Sequence, residues 1–158
     1  MLLPLYGLPD EPGLVFTERR ADMRRHAGEI SFPGGRRDEA DADLAATALR
    51  EAQEEIGLDP GRVELGEQLA TAGTFVTGYR IHPFVGRIPH PGELGLAPNP
   101  AEVETVLVFS LEKLREGYAM RRLVRRGVPI HTSTYEVEGH LIWGATARIL
   151  GDLLERLG

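Results

Sequence analysis

The sequence contains no cysteine and only one lysine, Lys113, against 17 arginines. Without cysteine there is no disulfide framework, no thiolate nucleophile and no thiolate metal ligand, so a reducing cytoplasm is the expected compartment. Apolar runs are only a few residues long, well below the roughly 20 residues that cross a bilayer. Residues 1–9 lack the basic stretch of a signal peptide, and we expect none.

The chain also lacks an excess of positive charge. Its formal net charge is −6 and its pI is about 5.4, whereas proteins that bind nucleic acid or membrane surfaces usually present a basic face. We therefore expect neither of those partners. With 158 residues, of which 42% are hydrophobic, the chain is long enough for one domain, residues 1–158, with a substantial core.

The most informative stretch covers residues 28–58. A short strand ends at the Phe-Pro-Gly-Gly sequence of residues 32–35, and a polar loop leads into a helix that ends at Gly57. Asp41 or Asp43 is suited to cap the start of this helix, and glycine suits the position after its last turn. Four apolar residues at spacings of three and four predict its buried face: Ala45, Leu49, Ala52 and Ile56.

Three glutamates, Glu51, Glu54 and Glu55, crowd one turn on another side of the same helix. Like charges at these spacings destabilise a helix by a few tenths of a kcal/mol per pair, and a divalent cation removes that cost. Mg²⁺ prefers oxygen ligands, typically one or two carboxylates with water and substrate phosphates. A solvated acidic helix surface is the simpler alternative for this segment alone. The adjoining glycine loop favours a site for metal and phosphate.

These residues resemble the signature of a known family. The Nudix box of hydrolases that cleave a nucleoside diphosphate linked to another group is matched by Gly35, Arg50, Glu51, Glu54, Glu55, Gly57 and Leu58. The separation of Gly35 from Arg50 is one position longer than in the common box. The glutamate expected early in the box is therefore absent in frame, with Asp41 or Asp43 as the nearest substitute.

The resemblance implies an α+β fold, the Nudix α/β/α sandwich with a mixed sheet between helices. It also implies a site for Mg²⁺ or Mn²⁺, held by Glu51, Glu55, Glu54 and the carbonyl of Gly35. The residues that it implies for catalysis are Glu54, Glu102 and Arg50, with Arg50 orienting the glutamates. Glu102 or Glu104 is the expected additional carboxylate, as metal ligand or general base, and Glu102 is favoured. A solvated loop acid is the alternative reading of either.

A basic segment precedes the box, with Arg19, Arg20, Arg24 and Arg25. Guanidinium groups suit bidentate phosphate contacts, although a solvated basic loop is the plain alternative. Thr17, Arg19, Arg24, Gly28 and residues 32–35 resemble, in spacing, a motif of coenzyme A pyrophosphatases, from which Val15, Phe16 and Arg20 depart. Residues 99–103 and 142–150 resemble the same subgroup. The resemblance implies that Arg19, Arg24, Arg25 and Gly34 bind substrate, and that coenzyme A is cleaved to 3′,5′-ADP and 4′-phosphopantetheine.

Two other functions remain open at the level of sequence. The same chemistry would act on ADP-ribose, a dinucleotide or an oxidised nucleoside triphosphate, because loops outside the box select the substrate. A Nudix-fold module that binds a nucleotide without cleaving it is the second, although three crowded acids are not needed for binding alone. In each case the partner is a small nucleotide, and a homodimer is compatible with the sequence.

The remaining segments predict mostly strands. Strands are expected over residues 1–8, 14–18, 63–71, 75–88 and 106–109, the first two forming a hairpin. A second hairpin is expected over residues 130–143, with its turn at residues 138–139, and residues 90–100 read as a loop. Helices are expected to start near Ser110 and to cover residues 144–157. The arginine-rich residues 115–126 fit either a solvated helix or a second anion contact.

Overall fold

The largest element of the fold is a six-stranded mixed sheet. The structure, a computed structural model, describes residues 1–74 and 77–158. Its main sheet contains β1 (Leu2–Tyr6), β2 (Gly13–Arg19), β3 (Ile30–Ser31), β4 (Glu64–Gln68), β7 (Phe84–Arg87) and β8 (Val103–Ser110). The strand order is β3-β2-β1-β7-β4, and β8 pairs with β2. β1 and β7 run parallel while β1 and β2 are antiparallel, which confirms both the mixed sheet and the first hairpin.

Helices cover both faces of this sheet. α1 (Leu44–Ile56) packs in one core cluster with Leu2, Val15 and Phe84. α3 (Gly144–Leu157) packs in the other, with Leu3, Leu14 and Phe16, and α2 (Leu111–Glu116) adds two leucines to that cluster. Neighbouring strand residues therefore contribute to opposite clusters, as the pleat of a sheet requires. The arrangement confirms the predicted α+β class and its sandwich of helices around a mixed sheet.

The ends of α1 follow from its sequence. The side chain of Asp43 accepts a hydrogen bond from the backbone N–H of Ala46 at 2.8 Å, and so caps the first turn. Gly57 follows the last turn with φ of 67°, in the left-handed region that glycine adopts without strain. Ala52 and Ile56 are buried, and Ala45 and Leu49 are partly buried against the same cluster. The predicted helix and its buried face are confirmed.

The remaining strands form two smaller sheets. β9 (Tyr118–Arg125), β10 (Val128–Val137) and β11 (His140–Ile142) form one antiparallel sheet, and β5 (Ala72–Gly73) pairs with β6 (Arg80–Ile81). Strands are predicted over residues 75–88 on either side of Gly78 and Tyr79. Those after Tyr79 are present in part, as β6 and β7, and Phe75 and Val76 lie outside the described residues. No helix of the described ranges is both long and apolar enough to cross a bilayer.

The solvated helix, one of the two alternatives left open for residues 115–126, is wrong. Residues 115–126 contain the end of α2 and the strand β9, and not the solvated helix considered from the run of arginines. Burial along β9 alternates, with Ala119, Arg121 and Leu123 partly buried between exposed neighbours, which is the period of a strand. Pairing with β10 along the length of the strand supplies the backbone hydrogen bonds that a helix would have made internally.

Candidate active site

The loop that follows β3 is held against β1 and β2 of the main sheet by packing and by a backbone hydrogen bond. Phe32 is buried and stacks on Phe16, with ring centroids 4.5 Å apart. The next carbonyl, that of Pro33, accepts a hydrogen bond from the N–H of Leu2 at 2.8 Å. A Cβ at Gly35 would lie 2.4 Å from the carboxyl carbon of Glu51, a separation that atoms do not tolerate. The loop therefore approaches the glutamates closely only because glycine occupies this position.

Two of the three glutamates on α1 are withdrawn from solvent. The side chain of Glu51 is 15% exposed, whereas that of Glu54 is 56% exposed. Glu55 is partly buried, and one of its oxygens accepts the N–H of Gly34 at 3.0 Å. Burial raises the pKa of Glu55 to about 8, opposed by that hydrogen bond and reinforced by repulsion from Glu51 and Glu102. Burial also raises the pKa of Glu51, and the adjacent Arg50 opposes that shift.

Arg50 joins the loop before α1 to the glutamates. Its Nε and Nη2 donate to the two carboxylate oxygens of Asp41 at 2.9 and 3.0 Å, a bidentate geometry suited to the planar guanidinium. Its Nη1 donates to Glu51 at 3.1 Å and to Glu54 at 3.2 Å. Its Nη2 also donates to the carbonyl of Arg36 at 3.0 Å. Arg50 thus contacts both sides of the site and fixes their relative position.

Asp41, one of the two candidate substitutes for the missing early glutamate, pairs with Arg50. It is buried, and its hydrogen bonds from Arg50, from the N–H of Asp38 and from the hydroxyl of Thr47 hold its pKa well below the usual range. Asp43 is committed to the helix cap. Of the two substitutes considered from the sequence, Asp41 is therefore the one that pairs with Arg50.

Glu102 lies on the loop that leads into β8, beside the end of α1. The N–H of Asn99 donates to the carbonyl of Glu55 at 2.8 Å, and the N–H of Ala97 donates to that of Ile56 at 3.0 Å. These bonds bring the loop to the helix, where the charge of Glu102 contributes to raising the pKa of Glu51 and Glu55. Glu102 therefore lies within electrostatic reach of both carboxylates.

The predicted substrate-binding residues are only partly brought together. Gly34 contacts Glu55 directly, and the positive charge of Arg19 lowers the pKa of Glu55, so both lie at the site. The Nε of Arg19 donates to the carbonyl of Arg25 at 2.8 Å, which ties the basic loop to β2. Arg24 and Arg25 are exposed, and in residues 1–74 and 77–158 no hydrogen bond joins their side chains to the glutamates.

The donor set suits a hard divalent cation. Among the described residues no three carboxylates or imidazoles are gathered as a ready-made metal site, since Glu54 is turned to Arg50. Mg²⁺ does not require such a cage, because one or two carboxylates suffice when waters and substrate phosphates complete its shell. Glu51 and Glu55 supply such oxygens. Burial raises the pKa of both, repulsion from neighbouring carboxylates adds to that shift, and a cation would offset this repulsion. The residues fit Mg²⁺ or Mn²⁺.

A cavity of about 490 Å³ opens beside this site and was not anticipated from the sequence. Its wall includes Gly34 and Gly35 of the loop. The basic and aromatic residues that line it are Arg36, Arg37, Tyr79, Arg80 and His82. Arg36 and Arg37 directly follow the two glycines, which is a signal that the sequence offered. Tyr79 and Arg80 are distant from these glycines in the sequence, and only the folding of the chain brings them to the cavity.

The fold and this site together define a hydrolase in which an acidic helix and a glycine loop face one another on an α/β/α sandwich. The chain belongs to the Nudix family, since the family's NUDIX domain model matches residues 6–127. It is 39% identical to the uncharacterized Nudix hydrolase NudL of Photorhabdus laumondii, over 99% of this chain and 83% of that protein. It is 37% identical to NudL of Escherichia coli, over 100% of this chain and 81% of that protein.

Solved structures share the fold at low sequence identity. The NUDIX domain of Shewanella oneidensis NrtR, in complex with ADP ribose, superposes with a TM-score of 0.67 at 17% identity, over 99% of this chain and 85% of that one. A MutT/nudix family protein from Enterococcus faecalis gives a TM-score of 0.65 at 16% identity, over 99% of this chain and 60% of that one. The protein is a Nudix hydrolase acting on a nucleoside diphosphate-linked substrate, in a family that generally uses divalent cations.

Proposed function

We propose that this Nudix hydrolase cleaves coenzyme A or its derivatives to 3′,5′-ADP and 4′-phosphopantetheine. The observation that carries the proposal is the basic segment upstream of the box. Its spacing resembles that of coenzyme A pyrophosphatases, and its first arginine, Arg19, lies within electrostatic reach of Glu55. The cytoplasmic location expected from the absence of cysteine belongs to the same proposal.

In the proposed reaction, the diphosphate lies between the glycine loop and α1. Glu51, Glu55, Glu54 and the carbonyl of Gly35 would hold Mg²⁺ or Mn²⁺, which when bound offsets charge on the phosphoryl oxygens. Glu102 accepts a proton from the attacking water. The oxygen of that water forms a bond to one phosphorus, the anhydride P–O bond breaks, and the bridging oxygen leaves with the other phosphate.

Arginines carry out two separate tasks in this proposal. Arg50 keeps Glu51 and Glu54 in place, because its own position is fixed by the carboxylate of Asp41. Arg19, Arg24 and Arg25 bind the phosphates of the substrate from the opposite side. Arg24 and Arg25 are exposed on a loop, so their contacts would form only when substrate binds.

The test of the metal site is the double variant Glu54→Gln and Glu55→Gln. We expect it to lose metal-dependent turnover, because a neutral amide lacks the negative charge of the carboxylates that bind Mg²⁺. Release of 3′,5′-ADP would be followed with and without Mg²⁺ or Mn²⁺, beside a control in which the exposed Glu64 of β4 is changed to Gln. Full activity of the double variant would overturn the assignment of these ligands.

A second candidate keeps the chemistry and changes the substrate. ADP-ribose is favoured by one observation, the ADP ribose bound to the NUDIX domain of Shewanella oneidensis NrtR. A panel of coenzyme A, ADP-ribose, dinucleotides and oxidised nucleoside triphosphates, each with Mg²⁺ or Mn²⁺, separates the two. Coenzyme A ranking far below the others would overturn the first proposal. Isothermal titration showing metal-independent binding without product would revive the non-catalytic alternative.

A further inference from the structure

The cavity beside the glycine loop carries positive charge that the protein itself leaves unneutralised. Arg36 stacks on the ring of Tyr79, 4.6 Å from its centroid, and donates to the Tyr79 hydroxyl. Arg37 donates to the carbonyls of Asp41 and Ala42 at 3.2 and 3.3 Å. Over the described ranges, none of Arg36, Arg37 and Arg80 is within ion-pair distance of a carboxylate.

These three arginines lie together at one cavity in a chain that has 24 acidic residues and a net charge of −6. Arg50 of α1, which donates to the carbonyl of Arg36 at 3.0 Å, makes ion pairs with three carboxylates. Three guanidinium groups around one cavity repel one another unless an anion lies between them. We refer to the cavity lined by Arg36, Arg37 and Arg80 as the arginine pocket.

The position of the arginine pocket relates it to the substrate. Gly34 and Gly35 form part of its wall, and these same residues contact Glu55 and Glu51 on the side of the proposed metal site. A group bound in the pocket and a diphosphate bound at the glutamates are therefore separated only by the backbone of the glycine loop. A ligand of nucleotide size that contacts both places would extend across this loop.

The chemistry of the pocket selects a particular anion. Guanidinium groups bind phosphate oxygens through paired, charge-assisted hydrogen bonds, and the phenol of Tyr79 holds Arg36 on one side of the cavity. The glutamates lie on the other side of the loop, so the diphosphate and its cation remain outside the pocket. The group that suits the pocket is therefore a phosphate monoester elsewhere on the same substrate.

We propose that the arginine pocket binds a phosphate monoester of the substrate that lies outside the scissile diphosphate, and so selects nucleotides that carry one. The inference rests on the proposed function, under which this group is the 3′-phosphate of coenzyme A. Arg80 is its most testable residue, because it lies on β6 and not on the catalytic loop.

The test compares coenzyme A with 3′-dephospho-coenzyme A, which differ by that phosphate alone. For the wild type we expect kcat/KM to be at least about tenfold higher for coenzyme A, as the loss of one charge-assisted contact predicts. Arg80→Gln should lower kcat/KM for coenzyme A about tenfold more than for the dephospho compound. The matched control is Arg62→Gln, on an exposed turn outside the pocket, which should keep the preference of the wild type.

Two results would overturn the role proposed for the arginine pocket while leaving the proposed function intact. One is hydrolysis of both compounds at equal kcat/KM by the wild type, and the other is an unchanged preference of Arg80→Gln for coenzyme A over the dephospho compound. If the wild type cleaves neither compound, the proposed function fails and the pocket is tested by binding. Isothermal titration would then compare 3′,5′-ADP with 5′-AMP. Tighter binding of 3′,5′-ADP that is lost in Arg80→Gln supports the pocket, and equal affinities overturn it.

Discussion

At the scale of single residues, the site depends on one pair of opposite charges. Asp41 and Arg50 meet through two hydrogen bonds of 2.9 and 3.0 Å, and Arg50 then contacts Glu51 and Glu54. Asp41 is buried and touches none of the three glutamates in any hydrogen bond of the described chain. We therefore infer that Asp41 is a positioning residue, which acts through the place that it gives to Arg50.

We predict that Asp41→Asn lowers kcat by about 10-fold or more while changing KM little, since outer partners of ligating groups commonly have effects of this size. The amide retains one acceptor oxygen and loses the bidentate pairing. Steady-state kinetics with saturating Mn²⁺ would measure the effect. Asp43→Asn is the matched control, because asparagine caps a helix as well as aspartate, and it should leave kcat unchanged. Equal losses in the two variants would refute the role of Asp41.

At the scale of elements, the sequence predicted α1 well and β9 poorly. The cap at Asp43, the glycine at position 57 and the apolar spacing all act within the helix itself, so they are readable without the fold. β9 is a strand because it pairs with β10, and nothing in its own arginine-rich sequence predicted that pairing. Pairing with β10 decided the conformation where the local pattern was ambiguous.

The end of α1 provides a prediction at this scale. Gly57→Ala should lower the free energy of unfolding by about 1 kcal/mol, because φ of 67° is unfavourable for a residue with a Cβ. The added Cβ would meet nothing closer than 3.9 Å, so the cost is one of backbone conformation. Urea denaturation would measure it. Gly73→Ala, at a position with open space and no positive φ, should cost less than Gly57→Ala.

At the scale of the whole molecule, the sequence predicted the fold and the gathering of the three glutamates on one helix, and it missed the arginine pocket. Glu51, Glu54 and Glu55 come from one helix, where spacing alone places them together. The arginine pocket combines Arg36 and Arg37 with Arg80, more than 40 positions away along the chain. Pairing of β5 with β6 and of β7 with β1 brings that distant segment to the glycine loop. Local sequence patterns do not predict that residues so far apart in the chain lie together.

The burial of Glu55 has a consequence for global stability. Its pKa is about 8 in the folded protein against 4.5 for an unperturbed glutamate, so between these values the folded state holds a proton that the unfolded state has lost. The stability of the metal-free protein should therefore fall as the pH rises through this interval. We expect Glu55→Gln to remove this loss, on the order of 2 kcal/mol after allowance for solvent screening of a partly buried group.

Urea denaturation in the presence of a chelator, at about pH 5 and about pH 8, would measure this difference. The chelator is needed because a bound cation would keep Glu55 ionised. Glu64→Gln, a change on an exposed strand, serves as the control and should follow the wild type. Parallel pH profiles for the wild type and Glu55→Gln would show that Glu55 does not carry the proton.

Asp41, which pairs with Arg50, lies in the loop before α1 and not on the helix. The length of that loop therefore does not determine which way the residues of the helix face. The N-cap at Asp43 sets which way the carboxylates point. The exposed segment of residues 36–40 can differ in length as long as Asp41 still meets Arg50 and the backbone groups of Arg36 and Asp38 keep their hydrogen bonds to that pair. A chain one residue longer than the common signature therefore keeps its glutamates in register. Variation in this loop offers a route to reshape substrate access without disturbing the reacting groups.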